Sequence, residues 1–114
     1  MDSKQAKSNR DRGAEAERQV AEIFRAYGFN TVRRGQVFNR ESDVIGVPGL
    51  HIEVKYHKTA KVWEWVRQAE IEAEIKKDGV PVVWFRRPRE PFRVIVPAKL
   101  FLEMYAAWRR EQEA

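Results

Sequence analysis

Residues 43–56 read DVIGVPGLHIEVKY, and this stretch decides the fold. Its first part is a short apolar run that ends at the turn signal Pro48-Gly49. Its second part, residues 50–56, alternates strictly between apolar and polar side chains, which is the period of a β-strand. The two parts predict a β-hairpin whose second strand has one apolar face and one polar face.

On the N-terminal side of the hairpin, apolar residues recur at helical spacing over residues 16–27, and Gly28 is typical of a helix end. Residues 29–34 favour a short strand and lead into a basic, polar loop. The first dozen residues are polar and basic and show no periodicity. We therefore predict a flexible basic arm over residues 1–12 and one domain over residues 13–114.

On the C-terminal side, a helical period from Val66 indicates a second helix that ends near Gly79. Residues 80–85 form the most continuous apolar run, so we place this strand at the centre of the sheet. A strand over residues 92–96 and a helix from about Pro97 complete the chain. This order predicts a single α/β domain in which helices flank a mixed β-sheet.

Length and composition narrow the function. The chain has 114 residues, 43% hydrophobic and 34% charged, which suits one folded domain. It has no cysteine, which excludes disulfides, cysteine-ligated zinc and thiol catalysis. A net charge of +5 favours nucleic acid as a partner. No apolar run approaches the ~20 residues of a membrane helix, so we expect a soluble cytoplasmic protein without a membrane partner.

The hairpin brings acidic and basic side chains together. Asp43 opens its first strand, and Glu53 and Lys55 share one face of the second strand. Hard oxygen ligands of this kind suit a magnesium ion, with the Val54 carbonyl as a further ligand. Lys55 would orient an attacking water or stabilise charge on a phosphate. The alternative is an amphipathic strand whose polar face is merely solvated.

A third acid comes from the first helix. On a helical wheel Glu17 falls within roughly 20° of Phe24, at the edge of the apolar stripe, whereas Glu15 points away. Glu17 therefore faces the protein and is an acid that could join the same site. The alternative is a rim glutamate paired with Arg18 or Arg33.

The histidines and tryptophans have less specific interpretations. We assign no metal to His51 or His57 and expect exposure or hydrogen bonding instead. The tryptophans are expected in the core or at an interface more often than stacked on bases.

These residues resemble the PD-(D/E)XK nucleases, and more narrowly the archaeal-type Holliday junction resolvases. The resemblance covers residues 12 to about 100. Five segments carry it, namely RGAEAER at 12–18, SDVI at 42–45, EVK at 53–55, RQAE at 67–70 and VIVPAKL at 94–100. They are similar to the family's opening R/K-G-x-x-x-E-R, its P-D-[IV]-I, its E-x-K, the Q-A-containing start of its second helix, and its closing strand and helix start. Ser42 stands where the family name has proline.

The resemblance implies a restriction-endonuclease-like fold and a metal-dependent, structure-selective DNA endonuclease that cuts four-way (Holliday) junctions. Mg²⁺ is the implied cofactor, with Mn²⁺ as an alternative. Asp43, Glu53 and the Val54 carbonyl would bind the metal, and Glu17 would be a further ligand or a water-positioning acid. Lys55 would orient water and stabilise charge. Gln68 would be an auxiliary catalytic group, the alternative being an exposed glutamine.

DNA and a second copy of the chain are the implied partners. If they lie on one face, the basic residues that would contact DNA phosphates are Arg12, Arg33, Arg34, Arg40, Lys58 and Lys61. The alternative is that these residues are scattered and merely solvated. Two symmetric cuts need two sites, so a homodimer is expected. Apolar residues that suit its interface, with core burial as the alternative, are Trp63, Trp65, Phe101, Met104, Tyr105 and Trp108.

Two other functions fit the same residues. One is a nuclease of the same superfamily that acts on duplex, nicked or flapped DNA. The other is a DNA-binding module that keeps the fold without turnover.

Overall fold

The structure is a computed structural model that describes residues 3–33 and 43–114. In these ranges the elements are α1 (Ser3–Ala26), β1 (Val32–Arg33), β2 (Val44–Ile45), β3 (Leu50–Tyr56), α2 (Val62–Lys76), β4 (Val80–Arg86), β5 (Arg93–Ile95) and α3 (Ala98–Glu113). This is the predicted order of helices and strands. The predicted α/β fold, a restriction-endonuclease-like mixed sheet flanked by helices, is confirmed.

The strands form one sheet in the order β1-β2-β3-β4-β5. The β3–β4 pair is parallel and is connected through α2, whereas the other neighbouring pairs are antiparallel. Our placement of residues 80–85 at the centre is wrong by one strand, because β3 is the middle strand and β4 lies beside it. The alternating pattern of β3 suggested a half-exposed strand, yet its residues 51–54 are all buried.

Helices cover both faces of the sheet. On one face Ala16 and Val20 of α1 pack in a cluster that includes Ile52 and Val54. We call this the α1 face. On the other face, the α2 face, Trp65 and Ala69 of α2 pack against Val83 of β4. Because side chains alternate along a strand, consecutive β3 residues belong to different faces. Trp65 is only 5% exposed, so its prediction as an interface residue is wrong.

The parallel pair begins at a close approach of two backbones. The Val80 N–H donates to the Gly49 carbonyl at 2.8 Å. Gly79 has φ +144°, and a Cβ at this position would lie 2.5 Å from the Gly49 carbonyl carbon and the Leu50 nitrogen. Only glycine fits this conformation without strain, so Gly79 allows β4 to start level with β3.

Helix α1 is longer than predicted. The helix was predicted from about residue 13, but residues 3–12 belong to the same helix as residues 13–26. The segment is rich in Lys, Gln, Ala and Arg, which favour helix, and no proline interrupts it. Tyr27, assigned to the apolar stripe, is 81% exposed beyond the helix end. The division of the chain into an arm (1–12) and a nuclease domain (13–114) stays a prediction.

Helix α3 lies apart from the core. It contains no buried residue, although Leu100 packs partly against the α1-face cluster. Among the described residues, no helix combines the length and apolar character that a bilayer span requires.

Candidate active site

Asp43 and Glu53 lie on the α2 face of the hairpin. Asp43 immediately precedes β2, and its N–H donates to the Ile52 carbonyl at 2.8 Å. Its Oδ2 accepts a hydrogen bond from the Val54 N–H, also at 2.8 Å. The residues are buried, with 6% of Asp43 and 3% of Glu53 exposed. The alternative of a solvated polar strand face is therefore wrong for Glu53.

The electrostatics at Glu53 favour its ionised form. Burial raises the pKa of Glu53, but the hydrogen bond and charge of His51, the hydrogen bond with Asp43 and the charge of Lys55 together outweigh burial. The net effect is a pKa below the ordinary value of 4.5. That Asp43 affects the pKa of Glu53 through a side-chain hydrogen bond indicates that the two carboxyl groups are close to each other. Two such groups are stable together when a proton or a cation lies between them.

Lys55 and Gln68 extend the site toward α2. The Lys55 ammonium donates to Gln68 Oε1 at 2.7 Å. Gln68 is exposed and precedes Ala69, which anchors α2 on the sheet. Gln68 thus contacts the Lys55 amine and is also exposed, as the alternative expected, and its role as an auxiliary catalytic group stays a prediction.

Glu17 faces the protein as the helical wheel predicted. Its side chain is 19% exposed, compared with 54% for Glu15, which pairs with Arg18. Glu17 Oε2 lies 3.4 Å from Arg33 Nε, the ion pair that we gave as the alternative. Arg33 pairs with Val44 in the sheet, so this contact is on the α1 face. The role of Glu17 as a further metal ligand stays a prediction.

The donor set fits a hard divalent cation. Asp43 and Glu53 supply carboxylate oxygens, which Mg²⁺ prefers, and Mg²⁺ usually keeps several waters. The N–H and C=O of one strand residue point to the same side, so the Val54 carbonyl is directed toward Asp43 like the Val54 N–H. Within residues 3–33 and 43–114 no group of three or more His, Asp or Glu is arranged for a metal. Two carboxylates, a carbonyl and waters are thus the candidate ligands at the hairpin, apart from the predicted contribution of Glu17.

A groove of about 810 Å³ opens beside this site. Its lining includes Lys55, Arg12, Lys58 and Arg89, which gives it a positive charge. The structure therefore brings Arg12 and Lys58, both predicted to bind DNA, to the same surface as Lys55. His57 also lines it, and burial and then Lys55 and Lys61 lower the pKa of His57.

Arg89 enters the groove from a strained turn. The Glu90 N–H donates to the Arg87 carbonyl at 3.1 Å, with Pro88 and Arg89 between them. Arg89 has φ +63°, a position of a type II turn that usually holds glycine. The sequence shows a charged turn here with a basic cluster of Arg86, Arg87 and Arg89 that could contact phosphates, but the backbone conformation depends on the fold. An arginine kept in a costly conformation is a sign of function.

The other predicted DNA contacts have different surroundings. Arg33 is engaged with Glu17, and Lys61 is exposed just before α2. Arg34, Arg40 and the motif residue Ser42 lie outside the described residues.

His51 belongs to the candidate site, which the sequence did not indicate. It is completely buried, and its Nε2 lies 2.9 Å from Glu53 Oε1. Its Nδ1 lies 2.8 Å from Asp78 Oδ1. Burial lowers the pKa of His51, but the hydrogen bonds and charges of Glu53 and Asp78 outweigh burial and raise it overall. The hydrogen bonding expected of His51 is confirmed, and the signal that its partner was Glu53 was the His-x-Glu spacing on one strand face.

A mixed sheet whose central hairpin carries Asp43, Glu53 and Lys55 on one face defines a nuclease of the PD-(D/E)XK class. Residues 8–113 match the family model described as archaeal Holliday junction resolvase (Hjc). The chain belongs to this family, and its function is that of a structure-selective nuclease of Holliday junctions. A search of curated proteins finds no match to the chain.

Proposed function

We propose that the chain is a Mg²⁺-dependent endodeoxyribonuclease in which Asp43, Glu53 and the Val54 carbonyl bind the ion. The observation that carries this proposal is the buried pair of carboxyl groups beside Lys55, at the edge of a groove lined by cations. A buried acidic pair is costly unless a cation compensates it. Mn²⁺ is the alternative ion because it accepts the same oxygen ligands.

The ion would supply acidification of water and neutralisation of phosphate charge. The remaining chemistry belongs to the protein. As the water oxygen bonds to phosphorus and the P–O ester bond breaks, negative charge grows on the phosphate oxygens. Lys55 has three N–H donors and uses one on Gln68, which leaves donors for the phosphate or the water. Glu17 would act as a further ligand or water-positioning acid.

The groove supplies a path for the DNA backbone. Among the described residues, Arg12, Lys58 and Arg89 have no ion-pair partner, so their charges are available to phosphates. Such contacts position DNA without reading its sequence, which suits selection by shape. Arg33, Arg34, Arg40 and Lys61 are proposed to extend the contact. A DNA substrate also implies action inside the cell, in the cytoplasm.

The test compares a labelled immobile four-way junction with a linear duplex, with and without Mg²⁺. We expect Mg²⁺-dependent cleavage of the junction in preference to the duplex. Asp43→Asn and Glu53→Gln should abolish cleavage and leave junction binding intact, because binding depends on many phosphate contacts. Glu15→Gln, an exposed acid outside the site, is the matched control and should cleave normally. Full Mg²⁺-dependent cleavage by Asp43→Asn would remove the metal site from this proposal.

We also propose that the chain acts as a homodimer that uses α3. Four-way junctions have two-fold symmetry, and two cuts need two sites related by the same axis. Helix α3 carries a patch of apolar residues, each about half exposed, formed by Phe101, Leu102, Met104, Tyr105 and Trp108. Contiguous apolar surface of this kind marks a protein interface. Trp63, 80% exposed at the start of α2, is a further proposed interface residue.

The dimer is tested by paired substitutions on α3. At about 100° per residue, Tyr105 and Ala107 lie on well-separated sides of the helix, and both are exposed. Tyr105→Glu should give a monomer by light scattering, whereas Ala107→Glu adds the same charge and should leave a dimer. A wild-type monomer at concentrations that resolve junctions on both strands would contradict the dimer.

A further inference from the structure

The Glu53 carboxylate is held by a buried chain of hydrogen bonds through His51 to Asp78. His51 contacts Glu53 Oε1 through Nε2 and Asp78 Oδ1 through Nδ1, at 2.9 and 2.8 Å. His51 is completely buried, and the side chain of Asp78 is 12% exposed. The chain thus runs from the carboxylate of β3 to the loop between α2 and β4.

This chain restricts the Glu53 side chain. A glutamate has three side-chain torsions, and a carboxylate that rotates freely binds a cation in no single geometry. The His51 ring occupies Oε1, which sets the direction of Oε2. The His51 ring is itself held by Asp78, which follows α2. Asp78 is adjacent to Gly79, whose backbone packs closely against Gly49.

Stability alone does not account for this arrangement. A histidine between two buried carboxylates must be desolvated, and apolar residues of similar volume are often at least as stable in such places. In addition, Asp78 Oδ2 is buried and is without a hydrogen-bond partner among the described residues. An unsatisfied buried oxygen is a cost that a purely structural contact has no reason to carry.

We propose that His51 and Asp78 are positioning residues that orient the Glu53 carboxylate for the divalent cation, and that they set the cation affinity of the site rather than its DNA affinity. The inference rests on the proposed function of Asp43 and Glu53 as cation ligands. Groups behind a metal ligand are generally worth about 10–100-fold in metal affinity, which gives the expected size of the effect.

The test uses Asp78, since it touches neither the cation ligands nor the groove. Asp78→Ala removes the anchor of His51, and Asp78→Asn keeps an oxygen that accepts from Nδ1. Mn²⁺ binding to the DNA-free chain is measured by electron paramagnetic resonance, and junction affinity is measured in EDTA. We expect Asp78→Ala to weaken Mn²⁺ binding by about 10–100-fold with unchanged junction affinity, and Asp78→Asn to restore most of the loss. The cleavage rate of Asp78→Ala should recover as Mg²⁺ is raised.

His51→Gln is the second variant, to be used if Asp78→Ala does not fold, as judged by circular dichroism. It has an amide that can donate to Glu53 but lacks the contact with Asp78, and we expect a weaker loss of Mn²⁺ affinity. Wild-type Mn²⁺ affinity in a folded Asp78→Ala or His51→Gln chain, with binding lost in Asp43→Asn, would overturn the positioning role alone. No Mn²⁺ binding by the wild-type chain would overturn the proposed function and this inference together.

Discussion

The two faces of β3 have opposite chemistry although they belong to the same seven residues. On the α1 face, Ile52 and Val54 are packed in an apolar cluster with Ala16 and Val20 of α1. On the α2 face, His51, Glu53 and Lys55 interact with polar partners, and two of the three are buried. One strand therefore contributes to the core with alternate residues and to the proposed catalytic site with the residues between them.

The difference has an energetic reason. Burial of apolar area stabilises the fold by roughly 25 cal/mol per Å², whereas burial of a carboxylate destabilises it unless a partner compensates. The α1 face can therefore offset what the α2 face costs. Substitutions on the α1 face should therefore lower stability, and substitutions on the α2 face should lower activity.

The largest effect is expected on the α1 face. Ile52 is fully buried in the cluster, so Ile52→Ala should lower the free energy of unfolding by about 2–5 kcal/mol through lost burial and a cavity. Urea denaturation measures this change. The cleavage rate per folded molecule should stay near wild type, and a large loss of that rate would show that the faces are not separable.

Lys55→Met should instead lower the cleavage rate and leave the free energy of unfolding nearly unchanged. Loss of the donor that faces developing phosphate charge should slow cleavage by about 10²–10³-fold in a single-turnover assay. Stability should change by less than about 0.5 kcal/mol because Lys55 is only partly buried and methionine keeps most of its aliphatic length. Cleavage at the wild-type rate would exclude Lys55 from the catalytic site.

In the absence of metal, the contribution of the α2 face to stability should depend on pH, whereas that of the α1 face should not. The pKa of His51 is raised above 6.5, so its stabilising contribution is complete below pH 6.5 and is lost as the pH rises through the folded-state pKa. The pKa of Glu53 is lowered below 4.5, so its contribution is present above pH 4.5 and is lost as the pH falls through the folded-state pKa.

Between pH 4.5 and 6.5 both contributions are present. Unfolding of wild type and His51→Gln in EDTA should differ most in this window and less above it. The Ile52→Ala variant should instead differ from wild type by a similar amount at each pH. A difference in the free energy of unfolding between wild type and His51→Gln that grew with pH above neutrality would show that the pKa of His51 is not raised by folding.

The smallest effect is expected at Gln68. It touches Lys55 by one hydrogen bond and is itself exposed, so its removal should cost about 1 kcal/mol, or roughly fivefold, in cleavage rate. Gln68→Ala should leave stability nearly unchanged. Ile71→Ala, on an exposed position of the same helix, is the control and should have no effect on the rate.

The sequence was informative wherever the signal is local. The alternation of residues 50–56 and the turn at Pro48-Gly49 predicted the hairpin, and Asp43, Glu53 and Lys55 followed from it. Contacts between distant segments carried no such signal. His51 meets Asp78 across 27 positions, and nothing in either local pattern indicates the pair.

Other differences arise where tertiary context overrides a local pattern. Polar alternation suggested that β3 was half exposed, but α2 covers its polar side. Trp65 is buried in the same layer and contacts Phe85, with the ring centroids 5.6 Å apart and the rings tilted by 48°. At the N-terminus, helix propensity extends α1 to Ser3 without an apolar stripe to announce it.

The backbone contact of Gly79 with Gly49 affects both the pairing of the strands and the candidate site. It sets the register in which β4 pairs with β3, and it places Asp78, the neighbour of Gly79, where its side chain reaches His51. A shift of one residue at this point would exchange the two faces of a strand and also separate Asp78 from His51. The strand register and the Asp78–His51 contact therefore depend on the same residue. A substitution of Gly79 would change the fold and the candidate site together.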